Sequence, residues 1–158
     1  ETTHIVVFAL IAFALWGTNF RKKLLDKLAQ FVPSVEGFQA TPYWDVSRYS
    51  WGYGTTAPGS TGTITREQAF TDMAAHLMAD YSTLSNKITQ PLNVNQWTAL
   101  LSFTYNTGIG NALNLIKNIN SGDTSALGTQ WNKYVYAGGV VNHTLVNRRA
   151  TEWALWNS

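Results

Sequence analysis

The stretch "VEGFQATPYWDVSRYSWGYGTT", residues 35–56, decides how this chain is read. It holds Glu36 and Asp45, two of only nine carboxylates in 158 residues, and runs into Gly52-Tyr53-Gly54. Upstream, Leu24, Leu25, Leu28, Phe31, Val32 and Val35 recur at helical spacing, which puts Glu36 at or just past a helix end. Pro33 inside that pattern predicts a kink or an early stop. Residues 41–56 alternate aromatic with small and polar side chains between Pro42 and Pro58-Gly59, the pattern of a short twisted hairpin. The two acids therefore either close an ordinary helix-to-hairpin connection or face a shared cleft.

Working outward, the chain reads as helices. Thr65-Arg-Glu-Gln68 is a capping box, opening a helix with Phe70, Met73, Leu77, Tyr81, Leu84 and Ile88 on one face. Helical patterns follow over 94–105, 112–120, 126–136 and 145–156, with Asn106-Thr-Gly108 and Ala137-Gly-Gly139 as C-terminal stops. The expected fold class is α+β and mostly α-helical: a small N-terminal lobe with a β-hairpin, a larger helical lobe, and a cleft between.

Composition narrows the function. A hydrophobic content of 45% with seven each of Trp, Tyr and Phe argues for one globular domain. Most of those aromatics belong in the core, although flat aromatic faces also suit sugars. A net charge of +2, with no basic run longer than Arg21-Lys22-Lys23, is too weak to imply nucleic acid. It is compatible with an anionic polymer. There is no cysteine, so disulfides and thiol chemistry are excluded. Residues 5–16 are an unbroken apolar run, shorter than the roughly 20 residues of a membrane span. The run reads as a buried core helix, as the remnant of an export signal or anchor, or, least favoured by its length, as a stable membrane span. Residues 1–20 are thus set apart from 21–158, and in water should pack as a helix on the body.

Few residues remain for chemistry. His4, His76 and His143 are isolated and lack metal-ligand spacing, so no metal is expected. Glu67 suits the first turn of a capped helix. Asp72 and Asp80 fall on that helix's polar side, and Asp123 suits a turn or cap. Glu152 lies within ion-pair reach of Arg148 and Arg149. That leaves Glu36 and Asp45. Glycosidic cleavage uses such a pair, one acid donating a proton to the leaving oxygen and one carboxylate acting on the opposite face of the sugar.

A resemblance sharpens this. Glu36-Gly37, Tyr43-Trp44-Asp45 and Ser50-Trp51-Gly52-Tyr53-Gly54-Thr55 are similar to the signature of the phage-type lysozyme (endolysin) family, glycoside hydrolase family 24. Further blocks occur in register: Ile64-Thr65 with Gln68-Ala69, then Leu92 to Gly108, Trp131 to Gly139, and Leu145 to Trp156. The resemblance spans about residues 24–156. It implies Glu36 as general acid and Asp45 as the carboxylate that positions or activates water. The family's third residue is usually a Thr six after the Asp. Here position 51 is Trp, and anchoring on Gly-Tyr-Gly puts Ser50 in that role with a loop one residue shorter. Tyr53, Gly54 and Arg148 are implied at the substrate, Arg148 pairing with the catalytic Glu from the opposite lobe.

What the resemblance implies for function is a muramidase that cuts the β-1,4 bond between N-acetylmuramic acid and N-acetylglucosamine in bacterial peptidoglycan, with inversion. It needs no cofactor or metal. The other readings are a lysozyme-like module that binds peptidoglycan without cleaving it, and a chitinase-like glycosidase. The expected setting is the periplasm or cell wall, as a monomer, with transient membrane association through residues 5–16.

Overall fold

The computed structural model describes the backbone of residues 2–158 and the side chains from residue 17 onward. The expected packing of residues 1–16 on the body lies outside the described side chains. Gly17 to Asn19 are exposed, and Phe20 is the first of the described side chains to pack against the core. Among the described residues, no helix is long and apolar enough to cross a membrane.

Helix α1 (Thr2–Glu36) buries Leu24, Leu28 and Val32, one residue per turn, against the central helix of the molecule. It continues three residues past Pro33, so the proline does not end it. The stop comes at Gly37, whose φ of 70° is the left-handed conformation that closes helices.

A three-stranded antiparallel sheet follows, β1 (Gln39–Asp45), β2 (Arg48–Gly52) and β3 (Thr55–Thr56), in that spatial order. It adds a third strand to the expected hairpin, because Gly52 (φ 59°) and Gly54 (φ 91°) let the chain reverse a second time. Pro42 does not bound the hairpin. It lies within the edge strand β1, where the register shifts between Gln39 and Tyr43 and no ladder donor is missed.

The larger lobe holds α2 (Arg66–Ser85), α3 (Val94–Thr107), α4 (Ile109–Leu113), α5 (Ile116–Ser121), α6 (Thr124–Trp131) and α7 (His143–Trp156), with a ribbon of β4 (Tyr136–Ala137) and β5 (Val140–Val141) between the last two. The Thr65–Gln68 capping box is formed, and a second one, Asn93 with Gln96, opens α3. Every residue of α3 from Trp97 to Thr104 is buried, as befits a helix surrounded by others. It packs on α1, α2, α4 and α7.

Four expectations need correction. The pattern over 112–120 is two short helices, broken at Asn114-Leu115. The helix expected to reach Tyr136 ends at Trp131, and Gly138-Gly139 (φ 59° and 80°) form the tight turn of the β4–β5 ribbon, which two positive φ angles suit. On α2, Met73, Leu77 and Leu84 are buried as expected, but Phe70 is exposed and Ile88 lies past the helix end. Asp80 is buried rather than on the polar side, because it is three residues after Leu77 and four before Leu84, within the same buried stripe of α2.

Candidate active site

Glu36 is the last residue of α1, so its carboxylate is presented where the chain turns away into the sheet. Its side chain keeps 16% exposure. From the far lobe, Arg148 of α7 reaches across with Nη2 2.7 Å from Glu36 Oε1, itself only 6% exposed. The other oxygen, Oε2, faces the second turn of the sheet, where a Cβ built on Gly54 would stand 3.8 Å away. One oxygen of the acid is clamped and the other faces a turn with no side chain.

Asp45 is exposed at the end of β1, next to the two-residue tip Val46-Ser47. Val46 is 91% exposed and has φ 52°, an unfavourable left-handed angle for a β-branched residue. Directly paired residues share a sheet face, so Tyr43 and Ser50 lie together, with Asp45 and Arg48 one pair further along on the same face. Trp44 and Tyr49 occupy the opposite face in edge-to-face contact, ring centroids 5.1 Å apart.

Tyr43 lies within the fields of both acids. Burial first, then the charges of Asp45 and Glu36, push its phenol above the usual tyrosine range, and Arg48 partly opposes them. The Y-x-D spacing could have singled out Tyr43, since two residues apart on a strand means one face.

Ser50 is fully buried, and its Oγ has no hydrogen-bond partner among the described residues. The Tyr53 ring is turned into the core against Phe38, centroids 5.5 Å apart, and its carbonyl accepts from the Tyr105 hydroxyl at 2.7 Å. Gly54 is half-buried beside Glu36. Of the residues singled out in the sequence, the structure gathers Glu36, Arg148 and Gly54 directly. Asp45 and Ser50 share the face that carries Tyr43. Among the described residues no cluster of three or more His, Asp or Glu could hold a metal.

Behind Arg148 stands a carboxylate read only as a helix ion pair. Glu152 is fully buried and accepts from Arg148 Nε (3.0 Å) and from Ser102 Oγ (2.7 Å) through Oε1. Arg149 Nε lies 2.9 Å from its Oε2, and Trp131 Nε1 donates to the same oxygen at 3.4 Å.

Comparison with known proteins finds relatives over most of the chain. A family model described as phage lysozyme matches residues 33–152. The chain is 32% identical over 136 residues to an endolysin of Bacillus phage PZA, covering 80% of this chain and 52% of that protein. It therefore spans about half the length of that relative. A SAR-endolysin of Escherichia phage Mu is 29% identical over 131 residues, 78% of this chain and 74% of its own. Among solved structures, the muramidase domain of SpmX from Asticaccaulis excentricus superposes with a TM-score of 0.75 at 25% identity, covering 83% of this chain and 95% of that one. With its helical lobe, small sheet and family match over most of its length, the chain belongs to the phage lysozyme family.

Proposed function

We propose that the protein is a muramidase that hydrolyses the β-1,4 bond between N-acetylmuramic acid and N-acetylglucosamine in peptidoglycan, with inversion. The observation that carries the reading is the Glu36 carboxyl, clamped through one oxygen by Arg148 and open on the other toward Gly54, with Asp45 exposed on the adjoining sheet. The negative end of the α1 dipole lies at Glu36 and works against a further negative charge there. In this scheme Glu36 donates a proton from Oε2 to the leaving glycosidic oxygen. Asp45 takes a proton from the water that attacks the anomeric carbon from the other face. Arg148 holds the acid in place. Gly54 keeps the approach to Oε2 clear, and the buried Tyr53 shapes the turn rather than touching sugar. Ser50 would assist the water from beneath the sheet face. The catalytic unit begins at about residue 21, and residues 1–20 serve delivery to the periplasm or wall.

One observation favours a second reading. Ser50 is wholly covered, in a loop one residue shorter than the family's, which suits a module that binds peptidoglycan without cutting it. Clearing of purified cell walls together with release of new reducing ends supports cleavage. Wall binding without either supports the module.

A further inference from the structure

A general acid in contact with a guanidinium poses a physical problem. The positive charge favours the ionised carboxylate, whereas catalysis needs the protonated one. The groups acting on Glu36 are Arg148 and Arg149 from α7, Tyr105 from α3 and Tyr43 from β1. Asp45 and Arg48 act in turn on Tyr43, and Asp72 of α2 acts on Tyr105.

Glu152 changes the balance. It is fully buried, yet it sits between both guanidiniums and has the neutral donors Ser102 and Trp131 besides. Arg149 spends its charge on Glu152 through Nε and Nη2, and turns Nη2 also to Asn106 Oδ1 at 2.8 Å. Arg148 is shared. Its Nε is held by Glu152, while Nη2 is left for Glu36 and the Ser102 carbonyl at 3.1 Å. The two guanidiniums thus share one buried carboxyl group, Glu152, and only Arg148 reaches a second, Glu36.

We propose that Glu152 is a positioning residue for the acid: by holding Arg148 Nε it fixes Nη2 on Glu36 Oε1 and shares the guanidinium's charge between two carboxylates. The inference rests on Glu36 being the general acid, and it adds a role for a residue that touches no substrate.

The test is the pH dependence of kcat/KM on soluble glycan fragments, measured below each variant's melting temperature. Glu152→Gln removes the charge and keeps the shape, so Arg148 bears fully on Glu36. The alkaline limb should move about one unit to lower pH, the scale of a carboxylate gaining a neighbouring cation. Above the limb this is a loss of about tenfold in kcat/KM, with KM within about twofold of wild type. Trp131→Phe removes only a neutral donor to the same carboxylate. It should lower the melting temperature and leave the limb where it was. If Glu152→Gln does not fold, Glu152→Asp retains the charge but withdraws it from Arg148, and should lower kcat and shift the limb the same way by less. An unmoved limb in the folded Glu152 variant overturns the proposal, as does an equal shift in Trp131→Phe. If Glu36→Gln retains activity, it is the assignment of the acid that fails, and the two failures are told apart.

Discussion

Gly54→Ala separates chemistry from folding within Gly52-Tyr53-Gly54. Gly54 has φ 91°, so any Cβ there carries a backbone cost of about 1–2 kcal/mol. For a chain of this length that lowers Tm by roughly 2–8 °C, at about 2–4 °C per kcal/mol. The new methyl would meet Glu36 Oε2 at 3.8 Å, an ordinary contact that demands no rearrangement. On the proposed function it would nevertheless stand where the leaving oxygen comes within about 3 Å of the acid. Displacing a reacting atom by about 1 Å can cost on the order of 10²-fold, and a loss of that size in wall clearing is expected. Gly52→Ala is the counterpart. Its Cβ would stand 2.7 Å from the Ala69 Cβ of α2, at φ 59°, so strain and overpacking together cost about 2–5 kcal/mol. That variant should lose Tm far more than Gly54→Ala does, its activity tracking the folded fraction. Turbidity clearing and thermal melts on the same preparations decide the matter. Full activity in Gly54→Ala, or a loss no larger than its unfolded fraction explains, would refute the reasoning.

Glu36→Gln removes the transferable proton and should lower wall clearing by at least about 10²-fold with little change in folding. Asp45→Asn should also lose most activity, and NMR of the freshly released sugar should show the inverted anomer; the retained anomer would exclude a water attacking directly. Ser50→Ala should impair activity less than either acid change, and activity at or above wild type would remove Ser50 from the site. Asp80 offers a pH test of stability. Burial raises its carboxyl above the ordinary value of 3.8, with the His76 ring 3.5 Å away opposing the shift. A raised carboxyl favours the fold only at low pH and is lost as pH rises through its folded value. Asp80→Asn should therefore raise Tm near neutral pH, the gain fading as pH falls toward 3.8; a constant difference across the range would refute this.

The sequence made legible those elements whose signals are local. The Thr65–Gln68 box and the Leu24, Leu28, Val32 stripe need only their neighbours in the chain, and both appear as expected. The pairing of Arg148 with Glu36 followed from family resemblance and is present at 2.7 Å. Signals with two meanings misled. Gly138-Gly139 can stop a helix or turn a ribbon, and the choice depends on what Val140 and Val141 pair with. Asp80 reads as polar-facing from its residue type, although its spacing from Leu77 and Leu84 puts it on the buried stripe they form. The burial of Ser50 depends on what lies over its sheet face, and the Glu152 hub on donors from α3, α6 and α7 meeting at one point, which no single segment encodes.

That convergence has a consequence in time. Glu36 ends the first helix, whereas Arg148 and Glu152 lie on the last, so a ribosome delivers the acid well before its clamp. Chains emerge N-terminus first, and a partner far along the sequence cannot dock until it has been made. A nascent or truncated chain lacking α7 holds both acids of the sheet side but has nothing to orient Glu36. On the proposed function, competence to cut arrives all at once, with the final helix, and a single proteolytic nick that frees α7 should withdraw it as abruptly.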